Sequence, residues 1–221
     1  DGDDDYLFGN LGLNSKFKAS IKKPLHLFCD DFDDNGTYDI VLSKDYHGDL
    51  VPMRGKQCSS EQMPFIADKF ENFISFAEAN LEDILGEENL DNALHYQVKD
   101  LSSICLINNG NGEFEKIQLP REAQFSPIMD FTIADIDQDE SPEIIAIGNL
   151  YPTEVETIRY DASIGTVLKY NDGEFEVLHN SKTGIRIHGD SKDSKIIEVN
   201  NNKVLLVTNN DGPLTLFQIN K

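Results

Sequence analysis

Asp31-Phe-Asp33-Asp-Asn35-Gly36-Thr37-Tyr-Asp39 and Asp135-Ile-Asp137-Gln-Asp139-Glu140-Ser141-Pro-Glu143 repeat one pattern of oxygen-bearing side chains. In both stretches a carboxylate or carboxamide stands at positions 1, 3, 5 and 9, and an apolar run follows. Hard cations such as Ca²⁺ take about six to eight oxygen ligands, which a tight loop supplies from alternating side chains and a backbone carbonyl. The pattern therefore predicts a structural repeat that holds a metal ion in each copy.

The spacing also predicts which oxygen atoms contact the ion. In the first loop these are the side chains of Asp31, Asp33, Asn35 and Asp39 and the carbonyl group of Thr37. In the second loop they are the side chains of Asp135, Asp137, Asp139 and Glu143 and the carbonyl group of Ser141. So many protein ligands in one loop favour Ca²⁺ over Mg²⁺, which usually keeps several waters. The alternative is a pair of Asp-rich turns, because Asp and Asn favour turns on backbone grounds alone.

An EF-hand does not fit these loops. It requires a Glu at loop position 12 and a helix on each side. Position 12 is Leu42 in the first loop and Ala146 in the second, and both lie in apolar, β-branched runs. We therefore expect strand–loop–strand sites.

The first residues of the chain resemble the second half of such a loop. Asp1-Gly2-Asp3-Asp4-Asp5 matches positions 5 to 9. The predicted ligands are Asp1, the carbonyl group of Asp3, and Asp5. We therefore expect a truncated third site, with the rest of its loop and an N-terminal portion of the protein upstream.

The charge of the chain limits its partners. Its 40 acidic and 19 basic residues give a formal net charge of −21. Binding to nucleic acid or to an anionic membrane surface depends on basic patches, so we expect neither. No apolar run approaches the roughly 20 residues of a membrane helix, and the three cysteines match no disulfide framework or zinc pattern.

Most of the chain has the pattern of an all-β protein. Short runs rich in Val, Ile, Leu and Phe alternate with turns of Asn, Asp and Gly, which favours a sandwich, barrel or propeller. Asn109-Gly-Asn-Gly-Glu-Phe and Asn171-Asp-Gly-Glu-Phe lie between such runs and predict tight hairpins. Because a hairpin follows each acidic loop, we expect repeated blades of a β-propeller.

The spacing of the repeats indicates an insertion. The acidic loops begin 104 residues apart, whereas Phe114 and Phe175 of the two hairpins are 61 residues apart. The 43 extra residues correspond to a helical pattern at residues 55–98, where apolar side chains recur at steps of three and four. The remaining residues make about three to four blades. Propellers have about four to eight, so we expect a single, incomplete propeller region.

These features resemble FG-GAP/VCBS repeats, as in the calcium-bearing blades of integrin α-subunit propellers. They are closest to the C-terminal part of bacterial, Bacteroidetes-type ASPIC/UnbV VCBS-repeat proteins. The matching segments, in the same order, are residues 9–15, 31–39, 62–65, 119–124, 135–143, 159–163 and 209–211. Glu140 and Pro142 depart from the usual glycine-bearing loop.

The resemblance implies a secreted or outer-membrane surface protein whose propeller binds Ca²⁺ for rigidity and presents loops to a partner. We therefore expect a non-enzymatic binding module for a protein or glycan. A lectin or a carbohydrate-active enzyme is the main alternative, although the chain has no Trp to stack on sugars. A subunit of a larger envelope complex is a third possibility.

Three residues outside the loops are candidate ligand contacts. Arg54, Arg159 and Tyr160 lie in polar segments that follow the strand after each acidic loop. Because surface arginines commonly pair with carboxylates, the alternative for the two arginines is a structural ion pair.

Overall fold

The chain divides into two compact units in a computed structural model that describes residues 2–171 and 173–219. Unit 1 combines Asp1–Lys16 with Leu101–Lys221, and unit 2 is Phe17–Asp100. The amide of Gly12 donates a hydrogen bond of 2.8 Å to the carbonyl of Leu101. The two chain segments of unit 1 are therefore joined close to the points where unit 2 begins and ends.

Short strands dominate the described residues. The strands are β1 (Tyr6–Phe8), β2 (Leu25–Asp30), β3 (Asp39–Tyr46), β4 (Asp49–Pro52), β5 (Leu94–Val98), β6 (Ile104–Asn108), β7 (Phe114–Gln118), β8 (Asp130–Ala134), β9 (Glu143–Ile147), β10 (Thr166–Asn171), β11 (Glu174–Leu178), β12 (Ser191–Val199), β13 (Asn202–Asn209) and β14 (Thr215–Gln218). The helices are α1 (Lys56–Gln62), α2 (Phe65–Lys69), α3 (Phe73–Ala77), α4 (Leu81–Leu85), α5 (Glu87–Asn92) and α6 (Asn180–Thr183), with a 3₁₀ turn at Arg121–Gln124. These strands form four antiparallel sheets, which confirms the mostly-β prediction.

Unit 2 is a four-stranded sheet covered by helices. Its strand order is β4-β3-β2-β5, and α1 to α5 lie in sequence between β4 and β5. Phe28 and Val41 of the sheet share an apolar core with Ile66, Phe76 and Ile84 of the helices. The helical face predicted from the periodicity therefore packs against the sheet.

The helical segment is more broken than its periodicity predicts. Asn72 and Asn80 each accept hydrogen bonds from backbone amides of the turn that follows, in capping boxes that begin α3 and α4. A capped N-terminus starts a new helix, so α2, α3 and α4 are separate short helices. Gly86 ends α4 with a φ of 90°. Residues 94–98, expected to be helical, instead form β5 and pair with β2.

Unit 1 contains three sheets, and the middle one is covered on both faces. Side chains alternate between the two faces of a strand. In β9, Ile144 and Ala146 pack with Cys105 of the sheet β1-β6-β7. Ile145 and Ile147 point the other way and pack with Leu205 of the sheet β12-β13-β14. The sheet β11-β10-β9-β8 therefore lies face to face between the other two.

Two glycines allow the backbone to approach closely within this stack. A Cβ atom on Gly148 would lie 2.1 Å from the carbonyl oxygen of Pro127. A Cβ atom on Gly9 would lie 2.3 Å from the carbonyl oxygen of Ile128. Each glycine follows a strand and precedes an asparagine and a leucine, so Gly-Asn-Leu is a third repeated motif. Both positions require glycine because any side chain would collide with backbone.

Candidate metal centres

The first acidic loop is shaped by hydrogen bonds from its own backbone. It connects β2 to β3, and Asp34 and Gly36 have positive φ angles of 58° and 88°. Asp31 accepts hydrogen bonds from the amides of Asn35 at 2.9 Å and Gly36 at 2.7 Å. Asn35 accepts one from the amide of Thr37 at 2.8 Å. These hydrogen bonds fold the loop backbone around the side chains of Asp31 and Asn35.

Three of the predicted ligands in this loop converge. Oxygen atoms of Asp31, Asp33 and Asp39 lie within 4.8 Å of one another. Asp39 is buried, and its Oδ2 atom accepts a hydrogen bond of 3.3 Å from the amide of Phe32. Burial raises the pKa of Asp39, and the neighbouring carboxylates of Asp33 and Asp31 raise it further. A cation placed among these oxygens would relieve both effects.

A neutral side chain faces the buried carboxylate. Nε2 of Gln62 in α1 donates a hydrogen bond of 3.1 Å to Oδ1 of Asp39. Arg54 donates one of 2.7 Å to Oε1 of Gln62. Within the described residues, no lysine or arginine lies within ion-pair distance of Asp31, Asp33 or Asp39. The first loop therefore has oxygen donors and uncompensated negative charge.

The second loop follows the same backbone path without a glycine. Gln138 and Glu140 have φ angles of 63° and 70°, in the places of Asp34 and Gly36. Asp135 accepts hydrogen bonds from the amides of Gln138 at 2.6 Å and Glu140 at 3.2 Å. A non-glycine residue in this region costs about 1 kcal/mol. The departure at Glu140 therefore leaves the loop shape intact.

The carboxylates converge here as well. Oxygen atoms of Asp135, Asp137 and Glu143 lie within 4.8 Å of one another. Oε2 of Glu143 accepts a hydrogen bond of 2.9 Å from the amide of Ile136, as Asp39 does from Phe32. Asp139 accepts one of 3.0 Å from Ser141, as Asn35 does from Thr37. The two loops thus share these hydrogen bonds, but the first aspartate also accepts from position 5 in the first loop and from position 4 in the second.

A lysine distinguishes the second loop from the first. Nζ of Lys169, in β10, lies 3.1 Å from Oε1 of Glu143 and 3.7 Å from Oδ2 of Asp137, and it donates a hydrogen bond to Asp139. Glu143 and Lys169 therefore form an ion pair. The hydrogen bond with Asp139 raises the pKa of Lys169, and Glu143 adds to the effect. The same hydrogen bond lowers the pKa of Asp139.

Sequence reasoning missed Lys169, although a signal was present. The run Thr166-Val-Leu-Lys-Tyr170 reads as a strand, and its lysine is the one charged residue within it. Lys169 is 30 residues beyond Asp139, so only the pairing of β10 with β9 brings them together. A charge in an otherwise apolar strand indicates a buried partner.

The predicted N-terminal site is described only in part. Asp1 lies outside the described residues. Oδ1 of Asp5 accepts a hydrogen bond of 2.9 Å from the amide of Asn108, and the side chain of Asn108 donates one of 3.4 Å to the carbonyl of Asp4. Asp3 lies near Gly110. Asp5 therefore joins β6, and its predicted role as a ligand stays a prediction, as do the ligand roles of the Asp3, Thr37 and Ser141 carbonyls.

The candidate contacts in the later polar segment lie in unit 1. Nε of Arg159 is 2.9 Å from Oδ2 of Asp161, and its guanidinium group lies 4.3 Å above the ring of Tyr151. Tyr160 is buried and its backbone pairs with Leu150. Burial raises the pKa of Tyr160, while the neighbouring side chain of Ser15 opposes the rise. Tyr160 thus packs inside the unit, and Arg159 stays half exposed.

Comparison with protein-family models, with curated proteins and with solved structures found no match for this chain. None of the helices in the described part of the chain has the length and apolar character that crossing a membrane requires.

Proposed function

We propose that this chain is a calcium-stabilised, non-enzymatic binding module of the extracellular space or the outer-membrane surface. It presents loops between strands to a protein or glycan partner, either alone or within a larger envelope complex. The observation on which the proposal depends is the first loop. Three carboxylates converge there without a cationic side chain among the described residues.

The donor set of the first loop fits a hard cation. Asp31, Asp33 and Asp39 supply carboxylate oxygens, and Asn35 adds a carboxamide oxygen at the next alternate position. No nitrogen or sulfur ligand of the kind that zinc or copper prefers belongs to this set. A bound Ca²⁺ would neutralise the cluster and tie β2 to β3. In this role the ion stabilises the fold and takes no part in a reaction.

We further propose that the sheets are FG-GAP-type blades of a β-propeller. The face-to-face packing of the three sheets in unit 1 supports this arrangement, because propeller blades stack in the same way. The acidic loop of the middle sheet connects β8 to β9, and the hairpin that follows connects β10 to β11. A metal loop on the first strand connection and a hairpin on the last match the repeat expected from the sequence.

The structural use of the loop carboxylates favours a binding module over a glycan-processing enzyme. Asp31 and Asp135 accept hydrogen bonds from the amides of their own loops. Asp139 and Glu143 face Lys169. A glycosidase instead needs two carboxyl groups placed on either side of a substrate bond. These four carboxylates hold the loops together.

A calcium-dependent melting temperature tests the proposal. The full chain is freed of metal with EDTA, and its thermal unfolding is followed with excess Ca²⁺, with Mg²⁺ and without metal. Ca²⁺ should raise the melting temperature, because a ligand of the native state stabilises it by about 2.7 kcal/mol at 100 times its Kd. Asp33→Asn should abolish the increase.

Asp34→Asn is the matched control, because it makes the same charge change in the same loop at a position outside the predicted ligand set. It should keep the response to Ca²⁺. Equal melting temperatures of the wild-type chain in Ca²⁺ and EDTA would refute the metal assignment. A glycan array and a protein-capture assay, each with and without Ca²⁺, then separate a lectin from a protein-binding module.

A further inference from the structure

We propose that the ammonium group of Lys169 is the resident cation of the second loop, so that this loop takes no metal ion. The sequence pattern predicts two equivalent calcium sites. The structure distinguishes them, because a lysine lies among the carboxylates of the second loop. The statement about the second loop is independent of the proposed function. Only the remaining calcium at the first loop depends on that proposal.

The lysine occupies the place that a metal would need. Its Nζ atom contacts carboxylate oxygens of Asp137, Asp139 and Glu143. These residues stand at positions 3, 5 and 9 of the loop, where the pattern predicts metal ligands. Calcium binds oxygen atoms at about 2.3–2.6 Å. An ion that used these oxygens would therefore have to displace the ammonium group.

Burial makes that displacement costly. The side chain of Lys169 is only 12% exposed and that of Glu143 is 0% exposed. When one partner of a desolvated ion pair is removed, the other is left as an uncompensated buried charge, which is strongly destabilising. A divalent ion beside the ammonium would also repel it. The second loop therefore already has the compensation that the first loop lacks.

The strand register keeps the lysine in this position. In the pairing of β10 with β9, Leu168 is the partner of Ile144. Lys169 and Glu143 are the next residues beyond this last pair, and their side chains meet there at 3.1 Å. Lys169 also pairs with Glu176 of β11, which fixes its backbone from the other side.

In unit 2, whose residues 17–100 are all described, no strand lies at the corresponding place. The pairing of β3 with β4 covers Ser43 to Tyr46 and does not reach Asp39. Gln62 of α1 faces Asp39 instead, and it donates a neutral hydrogen bond. The difference between the loops thus arises from the later element that contacts the buried carboxylate of each one. A strand brings a cation to the second loop, and a helix brings an amide to the first.

The number of calcium ions bound per chain tests the inference. The full chain is stripped of metal, and Ca²⁺ binding is measured by titration calorimetry and equilibrium dialysis. At the two acidic loops, the wild-type chain should bind one ion, Asp33→Asn none, and Asp137→Asn still one. Lys169→Met should bind two, because it frees the second loop. Lys195→Met removes an exposed lysine of β12 and should still bind one.

Two results would overturn the inference. One is a wild-type chain that binds two ions and loses one in Asp137→Asn, which would mean that the lysine moves aside. The other is a folded Lys169→Met chain without a second ion. If Lys169→Met does not fold, the two loop variants decide the question, because both keep the lysine. An ion that Asp33→Asn still binds and that Asp137→Asn loses would contradict the inference. A wild-type chain that binds none, with one ion in Lys169→Met, would refute the proposed function alone.

Discussion

The side-chain amide of Gln62 lies 3.1 Å from Oδ1 of Asp39 and donates a hydrogen bond to it, across 23 residues of sequence. This contact joins helix α1 to the acidic loop between β2 and β3. Arg54 in turn donates to Gln62 at 2.7 Å and orients its amide group. The carboxylate that is most buried in the first loop is therefore positioned by the helical segment.

Gln62→Ala should loosen the first loop. Asp39 would lose a hydrogen bond while staying buried, which costs about 1–3 kcal/mol in the free energy of unfolding. The affinity for Ca²⁺ should fall as well, because the carboxylate is no longer held toward Asp31 and Asp33. Chemical denaturation and calcium titration of the variant measure both effects.

Gln57→Ala is the control for this change, because Gln57 lies on the same helix and pairs with Glu61 at the surface. Its effect should stay within about 0.5 kcal/mol. Similar losses in the two variants would mean that the contact of Gln62 with Asp39 has no special importance.

Gly148→Ala should strongly destabilise unit 1. The added Cβ atom would lie 2.1 Å from the carbonyl oxygen of Pro127 and 2.5 Å from the amide nitrogen of Met129. Neither backbone atom can turn away as a side chain does, so a loss of about 2–3 kcal/mol is expected. For a chain of this size the melting temperature should fall by about 4–12 °C.

Gly184→Ala is the control that tests a positive φ angle without a steric collision. Gly184 has a φ of 69°, and nothing lies within 4 Å of the added Cβ atom. This variant should lose only about 1 kcal/mol. An effect as large as that of Gly148→Ala would show that the φ angle, and not the close approach, explains the need for glycine.

Ile145→Ala, in the middle sheet of unit 1, should lower the free energy of unfolding. Ile145 is fully buried at the centre of β9, and truncation of a core isoleucine to alanine costs about 2–5 kcal/mol. Ile133→Ala, in the neighbouring strand β8, removes the same atoms from a side chain that is 60% exposed. Calorimetry should find a much smaller change for Ile133→Ala, and comparable losses would contradict the packing of the sheets.

Stability should depend on pH through His26 of unit 2, whose ring lies beside that of His95. Their ring nitrogens Nδ1 and Nε2 lie 2.9 Å apart. Burial lowers the pKa of His26 below its ordinary value of 6.5, and His95 lowers it further, against Asp45. The folded state therefore holds fewer protons than the unfolded state in this window. Stability contributed by neutral His26 should be lost as the pH falls below about 6.5.

Replacement of His95 tests whether its imidazole ring influences the pH dependence of stability. His95→Gln removes the neighbouring imidazole, so the loss of stability between pH 7.5 and pH 5.5 should be smaller than in the wild-type chain. His188→Gln, at an exposed histidine of unit 1, should leave the pH dependence unchanged. An unchanged profile for His95→Gln would mean that the pair does not influence the titration of His26. Denaturation at a series of pH values gives the comparison.

Local features were predictable from the sequence, and long-range pairings were not. The apolar runs that follow the two acidic loops form strands β3 and β9 as expected, because side-chain alternation and turn residues act over a few positions. The acidic loops were recognised for the same reason. Lys169 was missed because its contact with Glu143 depends on strand register, which no local pattern encodes.

The helical segment illustrates the same limit. Its apolar steps predicted helix correctly over most of residues 56–92. Asn72 and Asn80, however, offered capping groups that compete with a continuous helix, and their effect depends on how each short helix packs. The pairing of β5 with β2 could not be deduced either. Repeat spacing gives the number of extra residues, and it does not show that the last of them return to a sheet.

The hydrogen bond between Gly12 and Leu101 has a consequence for the history of the chain. Unit 2 leaves and re-enters unit 1 at neighbouring points, between the hydrogen-bonded strands β1 and β6. Its 84 residues, Phe17–Asp100, can therefore be gained or lost in one genetic step without cutting a strand. Unit 2 has the topology of a cassette, and its acidic loop would be acquired or discarded with it.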